Sequence, residues 1–246
     1  MNLKTRPVEY KDGKTTCIGY LAWDESRADP LPCVLINHAW GGLDGFAQDY
    51  AIKMAALGYV GFALDNYGDG ALPETNDEKA AMMGPLKEDR KALLKRLKAG
   101  YKAAANLDEV DENNMAAMGF CFGGLCTLDM ARAGLDLHAA ISFHGLLDAP
   151  ENMPKKKVKA SILVAHGWDD PMADPDAVKA FGAEMVAKKC DWQLHAYGNV
   201  VHSFMNPAAN NPEMGTVYNA AAEQRATNAS LDLLAEKFAM HGIDQA

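Results

Sequence analysis

The stretch Met115-Ala116-Ala117-Met118-Gly119-Phe120-Cys121-Phe122-Gly123-Gly124 decides how the chain is read. It begins as a continuous apolar run of the kind buried in a parallel sheet and ends in glycines that open a helical pattern. A strand that enters a helix through so tight a turn forces its central residue into strained backbone, and flanking side chains would collide across the bend. Gly119 and Gly123 remove those side chains. Cys121 then sits at a helix N-terminus, where the backbone dipole favours a thiolate, and the Phe122 amide points to where an oxyanion would form. A free cysteine in such a turn can equally be a small buried hydrophobe, so the motif needs partners elsewhere in the chain.

Outward from this turn, short apolar runs alternate with longer amphipathic ones. The strand candidates are Thr15 to Leu21, Cys33 to Asn37, Tyr59 to Leu64, Met115 to Phe120, Ala139 to Phe143, Ser161 to Ala165 and Trp192 to Ala196. Helical patterns cover Phe46 to Leu57, Asp77 to Ala105 with an interruption around Gly84 and Pro85, Leu125 to Ala133, Asp174 to Lys189, and about Gly215 to Met240. The class is α/β, with a mostly parallel central sheet of about seven to eight strands and helices on both faces. No linker or repeat divides the sequence, so a single domain over residues 1–246 is expected. The stretches Asn66 to Thr75 and Ser203 to Met214 are the longest without periodicity, and either is a candidate to shape a pocket.

Composition narrows the partners. With 49% hydrophobic and 23% charged residues, the 246-residue chain is globular rather than disordered or fibrous. A formal charge of −9 repels phosphate backbones and anionic lipid, and no segment reaches the ~18 apolar residues of a membrane span, so nucleic acid and membrane are excluded and a small-molecule partner is expected. Five cysteines are too sparse for a disulfide scaffold, and Met1 to Asp12 carries charges instead of a signal-peptide run. The expected location is the cytoplasm. Oligomeric state is not readable from the sequence.

A nucleophile of this kind needs a base oriented by an acid, and in α/β-hydrolases these follow in the order nucleophile, acid, histidine. The strand Ser161 to Ala165 ends in His166-Gly167-Trp168-Asp169-Asp170-Pro171, which puts carboxylates in the acid position. The strand Trp192 to Ala196 is followed by Gly198-Asn199-Val200-Val201-His202-Ser203-Phe204, which makes His202 the base candidate. Each group falls at the C-terminal end of a strand, where open α/β sheets collect ligands. His38 reads as shaping the loop after the second strand, where an oxyanion amide would lie, or as bonding to backbone, His144 and His166 read as structural, a metal site lacks any closely spaced ligand pair, and Cys17, Cys33, Cys126 and Cys190 read as packing residues. Met82, Met83, Met172 and Met205 are candidates for a pliable pocket lining.

Gly-Phe-Cys-Phe-Gly-Gly at 119–124, Gly-Trp-Asp-Asp-Pro at 167–171 and His-Ser-Phe at 202–204 resemble the dienelactone hydrolase family, cysteine-using members of the α/β-hydrolase fold. Leu64-Asp65-Asn66-Tyr67-Gly68 and the alanine-rich stretch Tyr218 to Arg225 extend the likeness, which runs from about Val34 to Phe238. The resemblance implies an ester or lactone hydrolase without a cofactor, with Cys121 as nucleophile, His202 as base and Asp170 as acid, Asp169 being the adjacent competitor. It also implies a second oxyanion amide in His38-Ala39-Trp40-Gly41-Gly42, at Trp40 or Ala39, beside that of Phe122. Two positions depart from the family pattern. Ala39 stands where the family has a glutamate that keeps the resting thiol uncharged, and Met205-Asn206 stands where it has an arginine that binds the substrate carboxylate, a charged contact of ~1.5–3 kcal/mol. The alternative is a non-catalytic member that binds a small ligand in the same cleft.

Overall fold

The computed structural model describes residues 1–151 and 156–238. In chain order the elements are β1 (Leu3–Asp12), β2 (Thr15–Asp24), β3 (Leu31–Asn37), α1 (Gly45–Ala56), β4 (Val60–Leu64), α2 (Asn76–Glu88), α3 (Arg90–Ala105), β5 (Val110–Phe120) and α4 (Phe122–Arg132). They continue with β6 (Ala139–Phe143), β7 (Ser161–Gly167), α5 (Pro175–Ala187), β8 (Trp192–Tyr197), β9 (Asn210–Asn211), β10 (Thr216–Val217) and α6 (Ala220–Phe238).

Eight strands form one sheet in the order β1-β2-β4-β3-β5-β6-β7-β8. The pairs β1–β2 and β2–β4 are antiparallel, and every pair from β4 to β8 is parallel. This is the α/β-hydrolase arrangement implied by the motifs. Side-chain alternation sorts the core into two layers. Val34, Ile36, Ala116, Met118 and Phe120 pack with Tyr50 and Met54 of α1 and Leu233 and Phe238 of α6. Leu35, Phe62, Leu64, Met115 and Ala117 pack on the other face with Leu93 and Leu97 of α3, Leu125 of α4 and Phe181 of α5. Both faces are covered, which is why the inner strands read as unbroken apolar runs.

The structure departs from the sequence-based expectations at four places. β1 was not expected, because only Val8 and Tyr10 of it are buried and its outward positions are charged or polar. It is an edge strand, which is also why Pro7 is tolerated there. The break in the Asp77 to Ala105 stretch falls at Asp89, not at Gly84 and Pro85. Asp89 closes α2 and accepts from the Lys91 and Ala92 N–H groups, both at 3.1 Å, to start α3. α4 begins at Phe122, before Leu125, since the turn at Cys121 leads directly into the helix. The last helix starts at Ala220 rather than Gly215. Gly215 instead adopts φ 65°, and residues 216–217 return as β10 to pair with β9. The expected end of that helix at Met240 lies outside the described residues.

Gly123 sits where α4 meets the end of β3, and a Cβ there would overlap the Asn37 and His38 carbonyl oxygens. Gly123→Ala therefore forces α4 away from the sheet. It is expected to cost at least about 1–3 kcal/mol. In thermal unfolding this lowers Tm by roughly 2–4 °C per kcal/mol for a chain of this size.

Candidate active site

Cys121 lies between β5 and α4 with φ 55° and ψ −117°, backbone values a side chain adopts only when its surroundings impose them. Three contacts impose them. A Cβ on Gly119 would overlap the Gly123 carbonyl, so strand and helix approach within glycine distance. The Cys121 N–H donates to the Phe143 carbonyl at 3.1 Å and to His144 Nδ1 at 3.2 Å, which ties the turn to β6. Cys121 as a residue is 8% exposed and lines a pocket of about 670 Å³ at the C-terminal ends of the parallel strands.

His202 reaches the same pocket from the connection after β8. Its N–H donates to the Gly215 carbonyl at 2.9 Å, and its carbonyl accepts from Val217 N–H at 3.0 Å, so the β10 segment clamps it on both sides. His202 Nδ1 bonds Asp170 Oδ2 at 2.7 Å, and Asp170 Oδ1 accepts from the Met172 N–H at 2.8 Å. A carboxylate only accepts, so Nδ1 of His202 carries a proton, and Nε2 is the nitrogen turned to the sulfur for proton exchange. Asp170 is 2% exposed, whereas Asp169 faces solvent, so of the two adjacent carboxylates only Asp170 meets the imidazole. Burial works against charge on His202, yet the Cys121 sulfur and Asp170 outweigh it and raise the imidazole above its ordinary range. Nε2 makes no full hydrogen bond in this arrangement, and the Cys121 sulfur is its neighbour.

Three other histidines near this pair have surroundings that disfavour charge. Burial drives His144 well below the ordinary imidazole range, and the neighbouring His202 adds to the effect. Burial lowers His38 and His166 as well. His144, read from sequence as structural, lines the pocket, stands edge-on to His202 with ring centroids 5.0 Å apart, and accepts from the Cys121 amide. The other four cysteines are free and lie in packing, and burial pushes the Cys17 thiol up to about 11.

Ala39, Trp40 and Gly41 form the wall facing Cys121. Leu146 forms another, behind which Arg132 holds the Leu147 carbonyl at 2.8 Å and the Asp148 carbonyl at 3.1 Å. Arg132 is itself paired with Asp129 and Glu184, and Arg90 grips Asp129 with two hydrogen bonds. Residues 203–214 contribute Ser203, Asn206, Asn211 and Met214, as the length of that stretch implies. Asn66 to Thr75 does not line the pocket. Of the four methionines, Met83 and Met172 do, and Met205 is core.

Of the α2 wall, sequence reasoning named Met83 but missed the two lysines beside it. Lys79, Met83 and Lys87 recur at helical spacing on the face of α2 that closes the pocket, and Lys79 Nζ stands 5.7 Å from the Trp40 ring centroid. The available signal was an amphipathic helix with no buried residue of its own, which needs another surface to cover.

A family profile described as the dienelactone hydrolase family matches residues 18–238. An uncharacterized protein of Caenorhabditis elegans is 40% identical over 158 residues, covering 63% of this chain and 100% of that protein. A Bradyrhizobium sp protein described as a probable 2-oxo-3-(5-oxofuran-2-ylidene)propanoate lactonase is 27% identical over 184 residues, covering 71% of this chain and 73% of that one. The crystal structure of a dienelactone hydrolase-like promiscuous phosphotriesterase from metagenomic libraries superposes with a TM-score of 0.90 at 35% identity, covering 96% of this chain and 99% of the other. Among the described residues no helix is long and apolar enough to cross a membrane.

The Asp170–His202 bond predicts a measurable thiol reactivity. Iodoacetamide should alkylate Cys121 at pH 6 faster than free cysteine. Asp170→Asn should slow that reaction by about tenfold, equivalent to about 1.4 kcal/mol of lost ion pairing. Peptide-level mass spectrometry separates Cys121 from the half-buried Cys190.

Proposed function

The chain belongs to the dienelactone hydrolase family of α/β-hydrolase enzymes, and from that premise we propose that it cleaves a small carboxylic ester or lactone through Cys121, His202 and Asp170. His202 Nε2 takes the thiol proton, and the sulfur attacks the carbonyl carbon. The carbonyl electron pair moves onto oxygen, where the Phe122 amide and one amide of the Ala39–Trp40 segment stabilise it, each worth ~2.7–4 kcal/mol in comparable acyl-transfer sites. Collapse expels the alkoxide, which takes the proton from His202, and leaves a thioester on Cys121. Water then gives a proton to His202 and adds to the thioester. The second tetrahedral species releases the carboxylic acid and the thiol, and no step calls for a cofactor.

The observation that carries this reading is the 2.7 Å bond from His202 Nδ1 to Asp170, which leaves Nε2 free beside a thiol on the pocket wall. A non-catalytic binding protein has no use for a buried carboxylate behind that ring. The pocket also bears on substrate class. Asn206 offers no cation, but Lys79 and Lys87 line the α2 wall. A substrate carboxylate would meet them at the mouth, in solvent, where each contact contributes roughly 0.2–1 kcal/mol.

Cys121→Ala should lower turnover of p-nitrophenyl acetate by at least about a thousandfold while leaving Tm unchanged. Undiminished turnover would refute the nucleophile. Replacing Lys79 and Lys87 together with methionine should raise KM for a p-nitrophenyl hemisuccinate by roughly two- to tenfold, with p-nitrophenyl butyrate unaffected. Equal effects on both esters would remove the charge argument.

A further inference from the structure

The peptide that joins Ala39 to Trp40 is held in one orientation by His38. His38 is wholly buried, and both of its ring nitrogens are engaged. Nδ1 lies 2.6 Å from the Ala39 carbonyl oxygen, and Nε2 lies 3.2 Å from the Asn66 amide nitrogen. A carbonyl can only accept and an amide N–H can only donate, so the proton is on Nδ1 and the lone pair on Nε2. The tautomer is thus fixed by two backbone groups of opposite kind. The ring is also held edge-on to Tyr67 at 4.8 Å between centroids, and the Tyr67 hydroxyl donates to the Trp40 carbonyl at 2.9 Å. Asn66 is anchored in turn, its side chain donating to Asn37 Oδ1 at 3.1 Å and its carbonyl accepting from Arg96 at 3.2 Å.

In a trans peptide the C=O and the following N–H point in opposite directions. The Ala39–Trp40 bond is trans, and its carbonyl is turned inward onto His38. The Trp40 N–H therefore points away from the buried ring, toward the side on which Ala39, Trp40 and Cys121 line the pocket. It has no hydrogen-bond partner among the described residues, and neither has the Phe122 N–H. We propose that His38 is a positioning residue for the oxyanion hole: it fixes the Ala39–Trp40 peptide so that the Trp40 N–H, and not that of Ala39, is the second donor beside Phe122. The proposal rests on the hydrolase reading above, since an oxyanion hole has a use only if Cys121 attacks a carbonyl. Burial lowers the His38 imidazole, which favours the neutral ring that these two backbone bonds require.

Alkylation by iodoacetamide is a displacement at carbon that forms no oxyanion, whereas ester hydrolysis needs the hole. The two reactions of Cys121 therefore separate positioning of the hole from damage to the nucleophile. His38→Leu should lower kcat for p-nitrophenyl acetate by about 10²–10³-fold, the usual loss of one oxyanion donor, with KM changed less than about threefold and the alkylation rate of Cys121 unchanged. His38→Gln, whose amide can donate to one backbone group and accept from the other, should recover most of the loss. A wild-type kcat in folded His38→Leu, or alkylation falling in step with kcat, overturns the proposal. A second measurement uses the wild-type protein. ¹⁵N NMR should show the Nδ1–H tautomer of His38, and addition of Cys121 to 1,1,1-trifluoroacetone should shift the Trp40 amide proton downfield. The Nε2–H tautomer, or a shift at Ala39 in place of Trp40, overturns it whether or not the variants fold. Full activity in Cys121→Ala would instead remove the hydrolase reading while leaving the tautomer as measured.

Discussion

The close approach of α4 to the ends of β3 and β5 is the constraint on which the rest of this site depends. With Gly123 against the Asn37 and His38 carbonyls, and Gly119 against Gly123, the first turn of α4 lies as near the sheet as backbone permits. That contact has two effects at once. It bends the chain so sharply at Cys121 that its φ becomes positive, and it brings the α4 N-terminus beside the loop that follows β3. The Phe122 amide and the Ala39–Trp40 segment thus sit on two elements joined without an intervening side chain. The junction is reinforced by the hydrogen bond from Asn37 Nδ2 to Thr127 Oγ1 at 2.9 Å, inside the core. Tyr67 completes it, stacking on Phe122 with centroids 5.9 Å apart while its hydroxyl holds the Trp40 carbonyl. Buried polar contacts of this type contribute little net stability, but each leaves a costly orphan when broken, so they select one geometry of the loop.

The same logic of burial and partner separates the histidines. His38, His144, His166 and His202 are all close to fully buried, and desolvation alone disfavours charge on each. Only His202 has a carboxylate on one nitrogen and a sulfur near the other, and only His202 is raised. His144, one ring away, stays neutral and so does not compete for the thiol proton; its Nδ1 accepts from the Cys121 amide instead. Of the four buried imidazoles, His202 is thereby the one whose surroundings favour a second proton.

Much of this was legible in the sequence because the deciding features are local. Glycine spacing at 119–123 dictates the elbow by sterics, and the order Cys121, Asp170, His202 follows from which strand each residue terminates. The choice between Asp169 and Asp170 was not local. Both follow β7, and only the folded turn, with the Asp170 N–H on the Gly167 carbonyl at 3.1 Å, shows which carboxylate faces inward. The oxyanion amide was open for the same reason, since the direction of one peptide plane depends on residues 28 and 29 positions apart in the chain. β1 was missed because an edge strand buries one face only weakly, and Lys79 and Lys87 of the α2 wall were missed because on a helix they look like solvent-facing charges.

The two groups of residues differ in how they are held, and that difference has a functional consequence. Cys121, His202, Asp170 and the loop at 38–41 are fixed by strand ends, backbone hydrogen bonds and buried rings, so substitution there disturbs the core. The wall opposite is built from α2, none of whose residues is buried, and from the 203–214 connection, whose asparagines are largely exposed. Apart from the buried Phe204 and Met205, side chains on those segments change at a cost near that of ordinary surface substitutions, within roughly ±0.5 kcal/mol. Exposed side chains of α2 and the 203–214 segment can therefore change the pocket lining without disturbing the arrangement of Cys121, His202 and Asp170. That separation accounts for Asn206 and the α2 lysines occurring beside an intact Cys121, Asp170 and His202 in the same chain.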